Sequence, residues 1–251
     1  MDFGFTSRMK EMQARVGDFM DRYVIPANKR WHAEVAAGQL SPPVLHELKA
    51  LARSEGLWNL FLPGLKPDEP GTRLSNLEYA PLAEIMGRLT WASEVFNCSA
   101  PDTGNMELLH LFASPAQRTQ WLNPLLNGEI RSCFGMTEPD VASSDATNIA
   151  TRIIREGDEY VINGRKWFTT NAANPNTRLC IVMGVTNPDA EPHKRQSMVL
   201  VPMDTPGVRI ERMLAVHGEY DAPHGHGEVV FDNVRVPKEN YILGPGKGFA
   251  I

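Results

Sequence analysis

Two segments concentrate residue types that bind polar heteroaromatic ligands. The first is Cys133-Phe134-Gly135-Met136-Thr137-Glu138-Pro139-Asp140-Val141-Ala142-Ser143-Ser144-Asp145, a run of hydroxyls and small residues around a proline turn. Such a loop can offer backbone N–H groups and Ser/Thr hydroxyls to a phosphate or to the edge of a ring. The same residues also suit a plain turn followed by a helix cap. The second segment is Gly164-Arg165-Lys166-Trp167-Phe168-Thr169-Thr170-Asn171, which sets aromatic rings beside threonine hydroxyls on a strand leaving an Asn-Gly turn. A cross-strand aromatic pair is its simpler explanation.

Other motifs carry less. Between His217 and Glu228 lie His224, His226, Glu219 and Asp221, the residue types of a metal site. Metal ligands need fixed geometry, and Gly225 and Gly227 on both sides of His226 read instead as a mobile loop beside a substrate entrance. Gly244-Pro245-Gly246-Lys247-Gly248-Phe249 lacks both the Ser or Thr after its lysine and the glycine spacing of a phosphate loop. No Gly-x-Gly-x-x-Gly joins a strand to a helix, and no Ser or Cys occupies a nucleophile turn.

Helices must come first along the chain. Met9, Met12, Val16, Phe19, Met20 and Tyr23 recur at three- and four-residue steps and share a face, which Gly38 and Ser41-Pro42-Pro43 bring to an end. Val44, Leu45, Leu48 and Leu51 mark a second helix, and a Pro/Gly-rich loop over 62–73 follows it. Ser75 with Glu78 forms a capping box ahead of Leu82, Ile85, Met86 and Leu89. Ser114, Pro115 and Gln117 start a helix carrying Trp121, Leu122, Leu125 and Leu126. Core packing accounts for all of these stripes.

Past Arg131 the period changes. Glu156-Gly157-Asp158 and Asn163-Gly164 read as hairpin turns flanking a strand over 159–162. The Val- and Ile-rich runs 179–185, 198–201 and 229–231 read as buried strands. Helices followed by strands without alternation predict an α+β chain: an all-α N-terminal domain over 1–130, then an antiparallel β-barrel or sandwich over 131–240.

Bulk properties narrow the function classes. A formal net charge of −5 with scattered Lys and Arg argues against a nucleic-acid surface, so an anionic ligand must be met locally. Cys98, Cys133 and Cys180 are odd in number and far apart, which fits a reducing compartment better than a disulfide framework or a metal cluster. The N-terminus shows no apolar core of leader length, and no run reaches the ~20 apolar residues of a membrane span. These features read as a soluble, intracellular protein.

Together the two segments resemble the acyl-CoA dehydrogenase family. Its middle domain opens with a Thr-Glu-Pro…Ser-Asp loop and continues through Asn-Gly into a Lys-aromatic-aromatic-Ser/Thr strand. Phe231-Asp232-Asn233-Val234-Arg235-Val236-Pro237 followed by Leu243-Gly244-Pro245-Gly246-Lys247-Gly248-Phe249 looks like the passage into the family's C-terminal domain. Gln117, Trp121, Pro124, Leu125 and Gly128 sit in the family's arrangement too. The resemblance covers the whole chain.

It implies FAD as cofactor, with Phe134, Gly135, Met136 and Thr137 along the edge of the flavin ring. Phe168 would cover one flavin face, where the family usually has Trp, with Thr169 beside it and Thr170 bonding near N5. Ser143 or Ser144 would meet the FAD pyrophosphate or the pantetheine arm of coenzyme A. The loop is one residue longer than the family's usual Glu-Pro-x-Ala-Gly-Ser-Asp, which leaves that choice open. With Ala100-Pro101-Asp102-Thr103-Gly104-Asn105-Met106 upstream, it is most similar to the subfamily of human members ten and eleven. That subfamily implies medium to very long acyl chains, or 4-hydroxyacyl thioesters handled through a 4-phospho intermediate, with Asp102, Thr103 and Ser144 toward the substrate.

The implied reaction is α,β-dehydrogenation of an acyl-CoA thioester, the α-proton passing to a carboxylate and the β-hydride to flavin N5. An electron-transfer flavoprotein would reoxidise a homodimer or homotetramer, with no nucleic acid or membrane span involved. No segment matches the family's base motif, and Glu138 has no such role in the family. The base is expected in a C-terminal four-helix domain that would begin where the sequence stops, residues 241–251 being the connection to it. An acyl-CoA oxidase, a non-catalytic flavin or acyl-CoA binding protein and a structural oligomerisation platform are the alternatives. A bacterial source implies the cytoplasm, a eukaryotic one mitochondria or peroxisomes.

Overall fold

The computed structural model describes residues 4–251. Residues 1–3, where the N-terminal leader reading begins, lie outside the described residues. Residues up to Thr103 form one compact unit and those from Gly104 another.

The first unit is helical. α1 (Ser7–Phe19) starts where the Thr6 hydroxyl accepts a bond from the Met9 N–H at 3.2 Å. It runs through a π-helical turn, Met20–Val24, into α2 (Ile25–Ala36). Met9, Met12, Val16, Phe19 and Met20 are buried, the face given by their spacing. α3 (Pro43–Ser54) buries Val44, Leu45 and Leu48, and α4 (Asn76–Met86) buries Leu82 and Met86. The α4 capping box is complete: Ser75 Oγ accepts from the Glu78 N–H at 3.3 Å, and Glu78 Oε2 accepts from the Ser75 N–H at 2.8 Å. α5 (Asp102–Phe112) begins in this unit.

In the second unit a helical run follows Ser114, from α6 (Pro115–Gln117) through a π-helical turn to α7 (Asn123–Leu126). The Gln117 side-chain amide donates to the Glu239 and Tyr241 carbonyls at 2.8 and 2.7 Å, anchoring the run to the chain leaving the sheet. The strands are β1 (Arg131–Gly135), β2 (Arg152–Glu156), β3 (Glu159–Thr170), β4 (Thr177–Val185), β5 (Gln196–Pro202), β6 (Val208–Leu214) and β7 (His226–Pro237). They make one sheet in the order β1-β4-β2-β3-β7-β6, with β5 on β4. Its core gathers Cys133, Ile153, Ile162, Val182, Val199, Phe231 and Val234. No helix among the described residues is long and apolar enough to cross a membrane.

Helices first and a β unit second are as the sequence predicts, with two refinements. β2–β3, β3–β7, β4–β5 and β6–β7 pair antiparallel, but β1 lies parallel to β4 and β2 touches β4 in parallel at Arg152. The sheet is therefore mixed. The excursion through β2 and β3 between β1 and β4 gives the chain length a parallel return needs, and side-chain alternation carries no record of strand direction.

The second refinement concerns Asn163-Gly164, which is no hairpin turn. β3 runs straight through it, with a register shift between Ile162 and Gly164. A two-residue hairpin of this type needs positive φ at both positions, and neither residue has it. Asn163 Oδ1 instead accepts the Asn233 N–H at 2.8 Å across the bulge. At Gly164 a Cβ would stand 2.2 Å from Thr151 Oγ1, so the close approach of Thr151, just before β2, requires glycine. Glu156-Gly157-Asp158 is the hairpin predicted, with Gly157 at φ +64°.

Gly164→Ala is therefore expected to lower unfolding free energy by about 1–3 kcal/mol through overpacking. Gly157→Asn, in open space and in a conformation asparagine tolerates, should be nearly silent. Urea unfolding of the two variants measures the contrast.

Candidate functional site

The predicted segments meet at the end of β1. The Trp167 N–H donates to the Thr137 carbonyl at 2.9 Å, and Lys166 Nζ donates to the Met136 carbonyl at 2.8 Å. The chain leaving β1 is thereby pinned along β3. Lys166 is wholly buried, and its ammonium also reaches Glu138 Oε1 at 2.8 Å. Glu138 in turn accepts the Ala150 and Thr151 N–H groups at 2.7 and 2.9 Å.

Burial pushes the Lys166 ammonium down to about 8, against the pull of the Glu138 charge and hydrogen bond. For Glu138, burial works to raise the carboxyl, but Lys166, Thr151 and the Ala150 N–H outweigh it and hold the group below its ordinary value. This residue is a structural anchor.

Ser143 and Ser144 part company here. Ser143 is buried, its Oγ accepting the Glu138 N–H at 2.8 Å and donating to the Glu138 carbonyl at 3.1 Å. Ser144 is exposed. Asp145 caps the following turn through the Thr147 N–H and hydroxyl at 2.9 and 2.7 Å. Phe134, Met136 and Thr137 are half-buried and Gly135 is buried, where a Cβ would press on Lys166.

On β3 a second register shift separates Lys166 from Thr169. Within it Phe168 adopts φ +49°, uncommon for a bulky side chain, and 42% of its surface is exposed. Its ring lies 5.0 Å from that of Trp167 in an edge-on arrangement. Trp167 Nε1 and Thr169 Oγ1 are both buried without a hydrogen-bond partner. Buried polar groups are usually paired, so these donors fit a ligand that brings acceptors to this strand.

The Thr170 hydroxyl is 2.9 Å from His226 Nδ1, and His226 Nε2 is 3.7 Å from Asp221 Oδ2. The histidine-rich loop thus folds onto the predicted strand. Asn171, at φ +73°, donates to the Ser132 carbonyl at 3.0 Å, which ties the end of β3 to β1. Asn105 reaches Ser132 Oγ at 2.9 Å and the Cys133 carbonyl at 3.2 Å. Asp102 and Thr103 lie in the first unit at the start of α5, buried and half-buried respectively.

Two partnerships were missed in the sequence: Lys166 pairs with Glu138, which was weighed only as a base, and His226 meets Thr170, which the resemblance places near N5. The signal for the first pair was a lysine set between Arg165 and the aromatic pair Trp167 and Phe168 on a strand. Nothing local signals the second, because Thr170 and His226 are far apart in the chain. Among the described residues no three His, Cys, Asp or Glu side chains gather as metal ligands. The pattern of edge N–H groups, an exposed aromatic ring and unpaired buried donors fits a planar ring with acceptors on its rim, as a flavin presents.

Residues 6–129 match the family model described as acyl-CoA dehydrogenase, N-terminal domain, and residues 133–234 the one described as acyl-CoA dehydrogenase, middle domain. The Mycobacterium tuberculosis protein named probable acyl-CoA dehydrogenase FadE2 is 53% identical over 256 residues, which cover 100% of this chain and 61% of that protein. Human acyl-CoA dehydrogenase family member 11 is 50% identical over 254 residues, 98% of this chain and 32% of that protein. A solved Mycobacterium abscessus structure, assigned as an acyl-CoA dehydrogenase, superposes with a TM-score of 0.92 at 53% identity, covering 98% of this chain and 63% of that one. The chain spans only part of each of these proteins.

Glu138→Gln leaves Lys166 buried without its counter-charge and should cost about 3–5 kcal/mol of stability at neutral pH. Because the Glu138 carboxyl lies below its ordinary value of 4.5, its contribution is complete above that pH and is lost as pH falls through its folded value. Urea unfolding across the acid range should show a flatter acid limb in the variant than in the unmodified protein.

Proposed function

The chain belongs to the acyl-CoA dehydrogenase family, and from that premise we propose that it forms the flavin-binding part of an oxidoreductase acting on acyl-CoA thioesters. The reaction is α,β-dehydrogenation. When bound, FAD supplies the hydride acceptor. The observation that carries the reading is the meeting of residues 134–137 with 167–170, where an exposed Phe168 stands beside two buried donors without partners.

In this reading the chain orients and holds. The Met136 and Thr137 carbonyls are occupied by Lys166 and Trp167, so the N–H groups and the Thr137 hydroxyl are left to meet the ring edge. Phe168, held outward by its backbone, covers one face of the ring, with Gly135 and Thr169 flanking the contact. Thr170 bonds near N5. Ser144 is the one of the two serines that meets the pyrophosphate or the pantetheine arm, because Ser143 has its hydroxyl engaged with Glu138.

Glu138 cannot serve as the base, since its carboxylate is committed to Lys166 and two backbone N–H groups. The α-proton goes instead to a carboxylate outside this chain. A positioned base of this kind must stand within about 3 Å of the proton it takes. Electron-transfer flavoprotein as acceptor and a homo-oligomeric assembly belong to the same proposal.

Adding acyl-CoA without oxygen to the FAD-loaded full-length protein should bleach the flavin absorbance; a flavin that stays oxidised refutes the dehydrogenase reading. Admitting air separates a dehydrogenase, which stays reduced with product bound, from an oxidase. Ser144→Ala is expected to weaken FAD or acyl-CoA binding by about 1.5–3 kcal/mol with unfolding unchanged. Ser143→Ala should instead lower stability by about 1–3 kcal/mol. Equilibrium binding and urea unfolding on both variants test that division.

A further inference from the structure

The geometry points to His226 as a positioning residue that sets the direction of the hydrogen bond Thr170 offers to its ligand. This rests on the reading that Thr170 faces flavin N5. A threonine hydroxyl has one proton and accepts through its oxygen. With His226 Nδ1 at 2.9 Å, that proton has two places to point. When Nδ1 is unprotonated it accepts the Thr170 O–H, and the hydroxyl can then only accept from the ligand. When Nδ1 carries hydrogen it donates to Oγ1, and Thr170 is free to donate outward. Oxidised N5 is an acceptor and reduced N5 carries hydrogen, so the two arrangements match the two redox states.

His226 is placed for this role. Its side chain is 20% exposed, and Nε2 faces Asp221 at 3.7 Å on the solvent side, which gives protons a route between the ring and water. Its ring lies 6.4 Å from that of Phe168, on the strand proposed to meet the flavin. The other ionisable groups nearby are committed elsewhere. On β3, Lys166 is paired with Glu138, and Arg165 with Glu228. On β6, Arg212 also bonds Glu228, and within the loop His224 Nε2 lies 3.2 Å from Asn174. Imidazole is the side chain whose charge changes near neutrality.

The test uses the FAD-loaded full-length protein and its His226→Gln and Thr170→Val variants. A doubly protonated imidazole must lose the Nδ1 hydrogen before it can accept from Thr170, so reduction of the unmodified protein should couple to one further proton, giving a break in the plot of flavin potential against pH. Glutamine still hydrogen-bonds Thr170 but does not titrate, so the break should vanish in His226→Gln while FAD stays bound. A break that persists overturns the proposal. A potential unmoved by Thr170→Val overturns the flavin reading of Thr170 beneath it. Nitrogen-detected NMR of the flavin-free protein supplies a readout independent of the cofactor. Thr170→Val should shift His226 Nδ1, and an unchanged Nδ1 signal also overturns the assignment.

Discussion

An ammonium taken out of water needs a counter-charge and acceptors within reach, or it does not stay charged. Lys166 finds both in Glu138 Oε1 and the Met136 carbonyl, and that bond set decides where the surrounding chain can run. Because Lys166 belongs to β3 and Met136 follows β1, the contact reinforces the Trp167–Thr137 backbone bond in fixing a loop against a strand. Glu138 extends the anchor by accepting the N–H groups that lead into β2. Interactions of this kind add little net stability compared with a well-packed apolar substitute. Here their effect is geometric: one buried pair sets the mutual position of three segments.

β3 combines bracing and display along a single strand. Tyr160, Val161, Ile162 and Lys166 of β3 are buried, and the second register shift then turns Phe168 outward at a positive φ. Without that bulge, strict alternation would continue and the aromatic ring would keep the ordinary pleat. The strand end is held on both sides, by Asn171 bonding back to Ser132 and by His226 bonding to Thr170. Glu228, two residues along β7 from His226, is buried between Arg165 and Arg212, which fixes the start of β7 across both neighbouring strands.

Much of this was legible in the residues. Helix starts at Ser75 and Ser114 follow from capping chemistry that depends on only three or four consecutive residues, and both boxes are formed. The 156–158 turn was readable for the same reason. Asn163-Gly164 misled because the same dipeptide suits a hairpin turn and a bulge, and the choice is made by Thr151 and Asn233, both far off in sequence. Strand direction was hidden, since parallel and antiparallel strands share one alternation. That Ser143 turns its hydroxyl to the Glu138 backbone while Ser144 stays exposed shows only in space. The contact of His226 with Thr170 depends on how β7 registers on β3, which no window of local sequence contains.

The loop after β1 ends as a closed ring. Glu138 grips Ser143 with its backbone and the 150–151 backbone with its carboxylate, so the stretch between is clasped at both ends by one residue. Within the ring the Thr147 carbonyl accepts from the Gln196 side chain of β5 at 3.3 Å, while Ser144 and Asp145 stay exposed. By (3/2)RT ln n, one more residue in a ring of this size costs under about 0.1 kcal/mol. Added length between Glu138 and Ala150 can therefore be taken up in the exposed segment around Ser144. Such a ring gives evolution a place to insert and delete residues next to the proposed flavin site while the register of every strand stays as it was.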